Sequence, residues 1–313
     1  MATPIAANVL RKAPPDLRHD LDLSHDEVFR LLELTSQVKH TPQRYARSLQ
    51  GQYLALLFEK PSLRTRMTFE LAIKQLGGDS VLNTGEINGR EPIKDVARNL
   101  DRWTNGIVAR TFSQNTVDEL ARWSSVPVIN ALSDLYHPCQ ALADVFTIEE
   151  KFGQLRGLKL AFIGDGNNVA HSLMLTSARL GVDFALATPA GYEARPEIIA
   201  EAEALANASG AMLEISNNPI EAVAGAHAVY TDVWASMGQE HTAEQRRLDF
   251  MPFQVDETLM SRARGDSIFM HCLPAKRGEE VTDAVMESPN SVVFDQAENR
   301  LHVQKALLLM LLG

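Results

Sequence analysis

Apolar residues follow two rhythms along this chain. Short unbroken runs over 53–58, 80–83, 106–109, 126–130, 158–163, 182–187, 228–231, 267–270 and 292–294 have the length of strands. Most lie between segments of helical period. Val28, Leu31, Leu32 and Thr35 share one face, introduced by a capping-box pattern at Ser24 and Glu27 and ended before Thr41-Pro42. Phe69, Ala72, Ile73 and Leu76 form a second face that stops at Gly77-Gly78. Ile93, Val96, Ala97 and Leu100 form a third, opened by Pro92. Further helices are expected over 117–123, 140–152 and 169–180, with a last one closing the chain. Strands that alternate with helices are βαβ units, so the fold is expected to be α/β: two doubly wound parallel-sheet domains joined by interdomain helices. The expected division is 1–149 and 150–296, with the final helix over 297–313 packing back on the first domain.

Length agrees with two domains, since 313 residues is about twice an ordinary domain. Hydrophobic content of 45% and charged content of 22% supply real cores and a soluble surface. The net charge of −10 opposes general affinity for nucleic acid or anionic membranes. No apolar run approaches the roughly 20 residues that span a bilayer, and the first twenty residues lack the apolar core of a secretory signal. Cys139 and Cys272 are the only cysteines and form no metal-ligand pattern with histidines, which fits a reducing cytoplasm.

Against that acidic background, residues 58–70 (FEKPSLRTRMTFE) are distinctive. A strand leads through Pro61, Ser62, Leu63, Arg64, Thr65 and Arg66 into a helix. A helix start presents unpaired N–H groups, and arginines add planar donors, so this junction is a candidate anion site. Arg110 and His137 also follow predicted strands, and ligands of parallel sheets bind beyond strand ends, so the three are expected to converge. In the second half, GDGNNV (164–169) imitates a dinucleotide fingerprint. Val169 takes the place of its third glycine, and Thr188-Pro189 stands where an acidic residue belongs, which opposes a dehydrogenase. Asn167 and Asn168 are left to line a polar pocket. Asp232 begins a small-residue loop, DVWASMGQE, with the character of a lid, and Cys272 follows another strand. The loop TGEINGRE (84–91) lacks an apolar pattern and is a candidate mobile or intersubunit segment.

Together, FEKPSLRTR, HPCQALAD (137–144), DVWASMGQE (232–240), HCLPAKRGEEVTD (271–283) and DQAENRLH (295–302) resemble the motifs of the aspartate/ornithine carbamoyltransferase family, closest to its ornithine branch. The likeness runs from about 21 to 311. It implies that Ser62, Leu63, Arg64 and Thr65 hold the phosphate of carbamoyl phosphate, with Arg110, His137, Gln140 and Arg300 on the phosphate or carbamoyl group. It implies that Asn168, Asp232, Ser236 and Met237 bind ornithine, with Cys272 and Leu273 beside the reacting amine. Arg110, His137, Asp232 and Cys272 would be catalytic, and no metal or organic cofactor is implied. The implied reaction makes L-citrulline for arginine biosynthesis, in a homotrimer whose sites are shared between subunits. The alternatives are transfer to another amine, such as putrescine or N-acylornithine, or a catalytically silent binding homologue. Two positions depart from the family's pattern. Leu63 replaces a threonine, which is tolerable where the backbone N–H does the work. Glu86 replaces a glutamine that reaches the neighbouring subunit's site, and a carboxylate there would repel phosphate.

Overall fold

The structure, a computed structural model, describes residues 16–87, 89–235 and 242–313. These form two compact units. The first runs to Ala143 and takes up Glu298–Gly313, and the second is Asp144–Ala297.

In the first unit the elements are α1 (His25–His40), β1 (Tyr53–Phe58), α2 (Arg64–Gln75), β2 (Asp79–Thr84), α3 (Ile93–Trp103), β3 (Gly106–Arg110), α4 (Gln114–Trp123), β4 (Val128–Leu132) and the start of α5 (Pro138–Phe152). Its strands are all parallel, in the order β2-β1-β3-β4. The capping box forms as the sequence predicts: Glu27 N–H donates to Ser24 Oγ and Ser24 N–H donates to Glu27 Oε2. The central strands β1 and β3 are nearly all buried, which is why they read as unbroken apolar runs, whereas the edge strand β2 is largely exposed. Register fixes the chemistry. Phe58 stands level with Arg110 and Thr84, so the exits of these strands open side by side.

The second unit contains the rest of α5, then β5 (Lys159–Ile163), α6 (Asn168–Leu180), β6 (Asp183–Ala187), α7 (Pro196–Ser209), β7 (Leu213–Ser216), α8 (Pro219–Val223), β8 (Ala228–Thr231), α9 (Ala243–Phe250), α10 (Glu257–Met260), β9 (Ile268–His271), α11 (Asp283–Met286) and the start of α12 (Val293–Leu312). The strand order is β7-β6-β5-β8-β9, again all parallel. Gln296 of α12 knits this unit: its amide donates to Asp144 Oδ1 (2.7 Å) and Tyr230 OH (3.2 Å), and its Oε1 accepts His271 N–H (2.9 Å). Among the described residues no helix is long and apolar enough to cross a membrane.

Four expectations change. No strand forms over 292–294, because Val293 already begins α12; three apolar residues cannot distinguish a strand from a helix start. Arg300 therefore sits inside that helix. The strand expected over 126–130 begins at Val128, since Pro127 has no N–H and Val126 N–H is taken by Asp101. Gln140 lies in the first turn of α5, which starts at Pro138, a favoured first helical residue. The loop after β2 is anchored as well: Ile87 is buried in the core with Ala55, Ile107 and Val117.

One packing feature of the second unit is a buried ion pair. Arg246 of α9 donates through Nη1 to Asp165 Oδ2 (2.9 Å) and to the Trp234 carbonyl (2.7 Å), with its guanidinium 4.8 Å from the Tyr192 ring centroid. Burial lifts the Asp165 carboxyl to about 6, with Arg246 opposing the rise. Removing one partner strands the other in a poorly solvated place. Arg246→Met is therefore expected to lower the unfolding free energy by about 3–5 kcal/mol, and adding Asp165→Asn to recover a good part of it. Urea denaturation of both variants checks this; equal losses in the single and double variants would contradict it.

Candidate functional site

In the first unit, the start of α2 follows directly from the exit of β1. Leu63 is its N-cap residue and makes no side-chain cap, and a helix start presents N–H groups suited to an anion. Leu63 is 68% exposed, which leaves its backbone rather than its side chain for contact. Ser62 and Arg64 are half-buried, and Thr65 is buried with its hydroxyl accepting from Arg300 Nη2 at 2.6 Å. That bond joins positions 235 apart in sequence and sets the Arg300 guanidinium beside the start of α2.

Arg110 ends β3, and it is buried, as are His137 and Gln140. His137 immediately precedes α5, within the fields of Arg300 and Arg110. Burial, reinforced by those two cations, holds its imidazole well below the ordinary histidine range. At neutral pH it is an uncharged ring, a donor through one nitrogen rather than a cation. Arg110 and His137, two of the three groups expected to converge, lie together with Arg300, which Thr65 ties to the start of α2.

Two residues of the FEKPS stretch were not singled out by sequence reasoning. Lys60 lies in the field of Arg110 and over the Phe112 ring (4.8 Å to its centroid), and burial and that arginine lower its ammonium's pKa. Glu59 spans the neighbouring strand exits, accepting Ile87 N–H (3.1 Å) on Oε1 and Phe112 N–H (2.9 Å) on Oε2. Its position at a strand exit was the available signal. Glu86 is exposed, beside Gly89.

In the second unit, Asp232 follows β8 and Cys272 follows β9, adjacent parallel strands. Adjacency brings them together: Cys272 Sγ donates to Asp232 Oδ1 at 3.1 Å. Asp232 is buried and Cys272 partly exposed. Cys139, by contrast, is fully buried in the first unit, and burial pushes its thiol up to about 12. Asn168 is the first residue of α6. Leu273 holds a left-handed backbone (φ 58°), pinned by its N–H on His271 Nδ1 at 2.8 Å. Since that nitrogen accepts, Nε2 carries the proton toward Glu280 Oε1 (3.1 Å), and Glu280 also accepts Lys276 N–H (2.5 Å). Asp232, His271 and Cys272 could offer ligand atoms to a metal within 4.8 Å of one another, but both ring nitrogens of His271 are already engaged. Ser236 and Met237 lie outside the described residues.

Comparison with known proteins agrees with both halves. Residues 16–150 match the carbamoyl-P binding domain of aspartate/ornithine carbamoyltransferase, and residues 156–311 match its Asp/Orn binding domain. The chain is 52% identical over 297 residues to an ornithine carbamoyltransferase of Thermococcus kodakarensis, covering 93% of this chain and 94% of that one. It is 50% identical over 310 residues to the anabolic ornithine carbamoyltransferase of Pyrococcus furiosus, covering 97% and 98%. The solved ornithine carbamoyltransferase from Pyrococcus furiosus superposes with a TM-score of 0.93 at 49% identity, covering 96% and 98%. Two parallel-sheet units, their matched domains and this level of identity lead to one conclusion: the chain belongs to the aspartate/ornithine carbamoyltransferase family.

Proposed function

We propose that the chain transfers the carbamoyl group of carbamoyl phosphate to the side-chain amine of L-ornithine, giving L-citrulline and phosphate in the direction of arginine synthesis. The observation that carries the choice of acceptor is the Asp232–Cys272 pair, a carboxylate and a thiol 3.1 Å apart at adjacent strand exits. Such a pair suits an amino acid bearing ammonium groups. Relatives about half identical to this chain are named for the same activity.

On the first unit, the start of α2 (Ser62, Leu63, Arg64 and Thr65), with Arg110, Gln140 and Arg300, holds the phosphate dianion. As the C–O bond breaks, charge grows on the leaving phosphate, and fixed guanidinium groups stabilise it without reorganising. Neutral His137 donates to the carbamoyl oxygen, with Arg110 alongside. An imidazolium here would be costly, because two guanidinium groups already occupy the same desolvated place.

On the second unit, Asn168, Asp232, Ser236 and Met237 bind ornithine, with Leu273 beside it. The side-chain amine arrives protonated, as alkylammonium pKa values lie near 10. It loses that proton toward the Asp232–Cys272 pair and attacks the carbamoyl carbon to form a C–N bond, and phosphate departs with the C–O electron pair and takes up the nitrogen's second proton.

The wild-type enzyme given both substrates should yield citrulline and phosphate in equal amounts, and a competition among ornithine, putrescine and N-acetylornithine should favour ornithine. Arg64→Ala should raise KM for carbamoyl phosphate at least tenfold, with the melting temperature little changed. Unaltered carbamoyl phosphate kinetics would remove Arg64 from the site.

The His137 assignment has a pH signature. The unfolded histidine gains a proton as pH falls through about 6.5, whereas native His137 does not, so its contribution to stability is present above that pH and lost below it. Between pH 7 and pH 5 the wild type should lose more stability than His137→Asn, by up to about 1.4 kcal/mol per pH unit below the unfolded value. Chemical denaturation at the two pH values measures this; parallel losses would show that His137 titrates normally.

Self-association as a homotrimer with shared sites is part of the same proposal. It is supported by exposed apolar residues on α2 and β2 (Leu63, Met67, Leu71 and Val81), near which Glu86 would meet a neighbour. Light scattering should give three times the 34.6 kDa chain mass or a multiple of it. A monomer at micromolar concentration would contradict it.

A further inference from the structure

The turn that imitates a dinucleotide fingerprint, Gly164 to Val169, has no part in the mechanism as described, apart from Asn168. Its geometry is nevertheless tightly specified. Gly164 has φ 144°, and a Cβ on Gly166 would lie 2.2 Å from the Ala194 nitrogen, so the turn is packed against backbone. Asn167 follows in extended conformation as the N-cap of α6. Its Oδ1 accepts from Val169 N–H (2.9 Å) and Ala170 N–H (3.1 Å), which commits the carbonyl end of the side-chain amide to the helix. The amino end must then face the other way, and it donates through Nδ2 to Asp232 Oδ2 at 2.9 Å.

We propose that Asn167 is a positioning residue for carbamoyl transfer, orienting the Asp232 carboxylate toward the amino-acid substrate. The two oxygens of Asp232 are divided between partners: Oδ2 takes the Asn167 amide and Oδ1 takes the Cys272 thiol. With both held, the carboxylate plane is fixed before ornithine arrives. Asp165, two residues earlier, also lies in the field of Asp232, and its own charge is taken by Arg246. Among the described residues the charged and titratable groups around Asp232 are Cys272, His271, Asp165 with its arginine, and Tyr230.

An asparagine is required for this double task. Aspartate or serine would cap α6 comparably, because either supplies an oxygen to the helix N–H groups. Neither can donate an amide N–H to Asp232 at the same time. Aspartate would also set a second carboxylate against it. Capping and positioning therefore separate by substitution.

The proposal rests on the reading of Asp232 as an ornithine ligand. Wild-type citrulline formation tests that reading first, and the variants are then compared with it. Asn167→Ser and Asn167→Asp should melt close to the wild type and bind carbamoyl phosphate with unchanged affinity. Their kcat/KM for ornithine should fall roughly ten- to a hundredfold, as expected for a lost hydrogen bond to a charged group. The acidic limb of their kcat/KM–pH profile should move to higher pH, further in Asn167→Asp. Wild-type ornithine kinetics and pH profile in both variants would overturn the proposal. So would a loss of activity accompanied by equal losses of carbamoyl phosphate binding and thermal stability, since that pattern belongs to a helix cap alone.

Discussion

Parallel strands cannot be joined by tight turns, so every strand here is followed by a crossover, and all strand exits of a sheet gather at one end. That constraint places the chemistry. In the first unit, β1, β3 and β4 deliver the start of α2, Arg110 and the His137 loop to the same end of the sheet. In the second, β5, β8 and β9 deliver Asn167, Asp232 and Cys272 likewise. Buried strands hold those exits in register, and the polar groups project from a frame they do not build.

The two units solve opposite electrostatic problems. The first concentrates Arg110 and Arg300 around a ring that burial keeps neutral, His137. Keeping that ring uncharged limits the cation count in a place with little water. The second gathers the opposite charge. It offers carboxylates, one balanced by Arg246 and the other, Asp232, shared between an amide and a thiol. Within an acidic protein of net charge −10, the described residues thus include a buried cationic cluster in the first unit and a carboxylate-bearing cluster in the second.

Side chains bonded to loops and helix ends do much of the holding. Glu59 ties the exits of β2 and β3 through two backbone N–H groups. The His271–Glu280 pair pins Leu273 in a left-handed conformation that a leucine would not otherwise keep. Thr65 places the Arg300 guanidinium at the start of α2. In each case a polar side chain finds its partner in a loop or helix end.

Much of this was legible in the chain itself. Buried parallel strands leave unbroken apolar runs, and helix caps are local, so β1, β8 and the Ser24–Glu27 box appear in the sequence where they stand in the structure. The places of Arg110, Asp232 and Cys272 at strand ends were legible too, because each closes or follows an apolar run. Short or amphipathic pieces were not: three apolar residues at 292–294 belong to α12, and Ile87 looks polar by its neighbours yet enters the core. Only the tertiary structure could decide the long-range pairs. Thr65 with Arg300, Asp165 with Arg246 and Asn167 with Asp232 join residues that strand order, not spacing along the chain, brings within 3 Å. Sequence determines which groups each strand delivers, since that depends on local period and burial. Which group meets which depends on strand order and register, and those exist only once the sheets have formed.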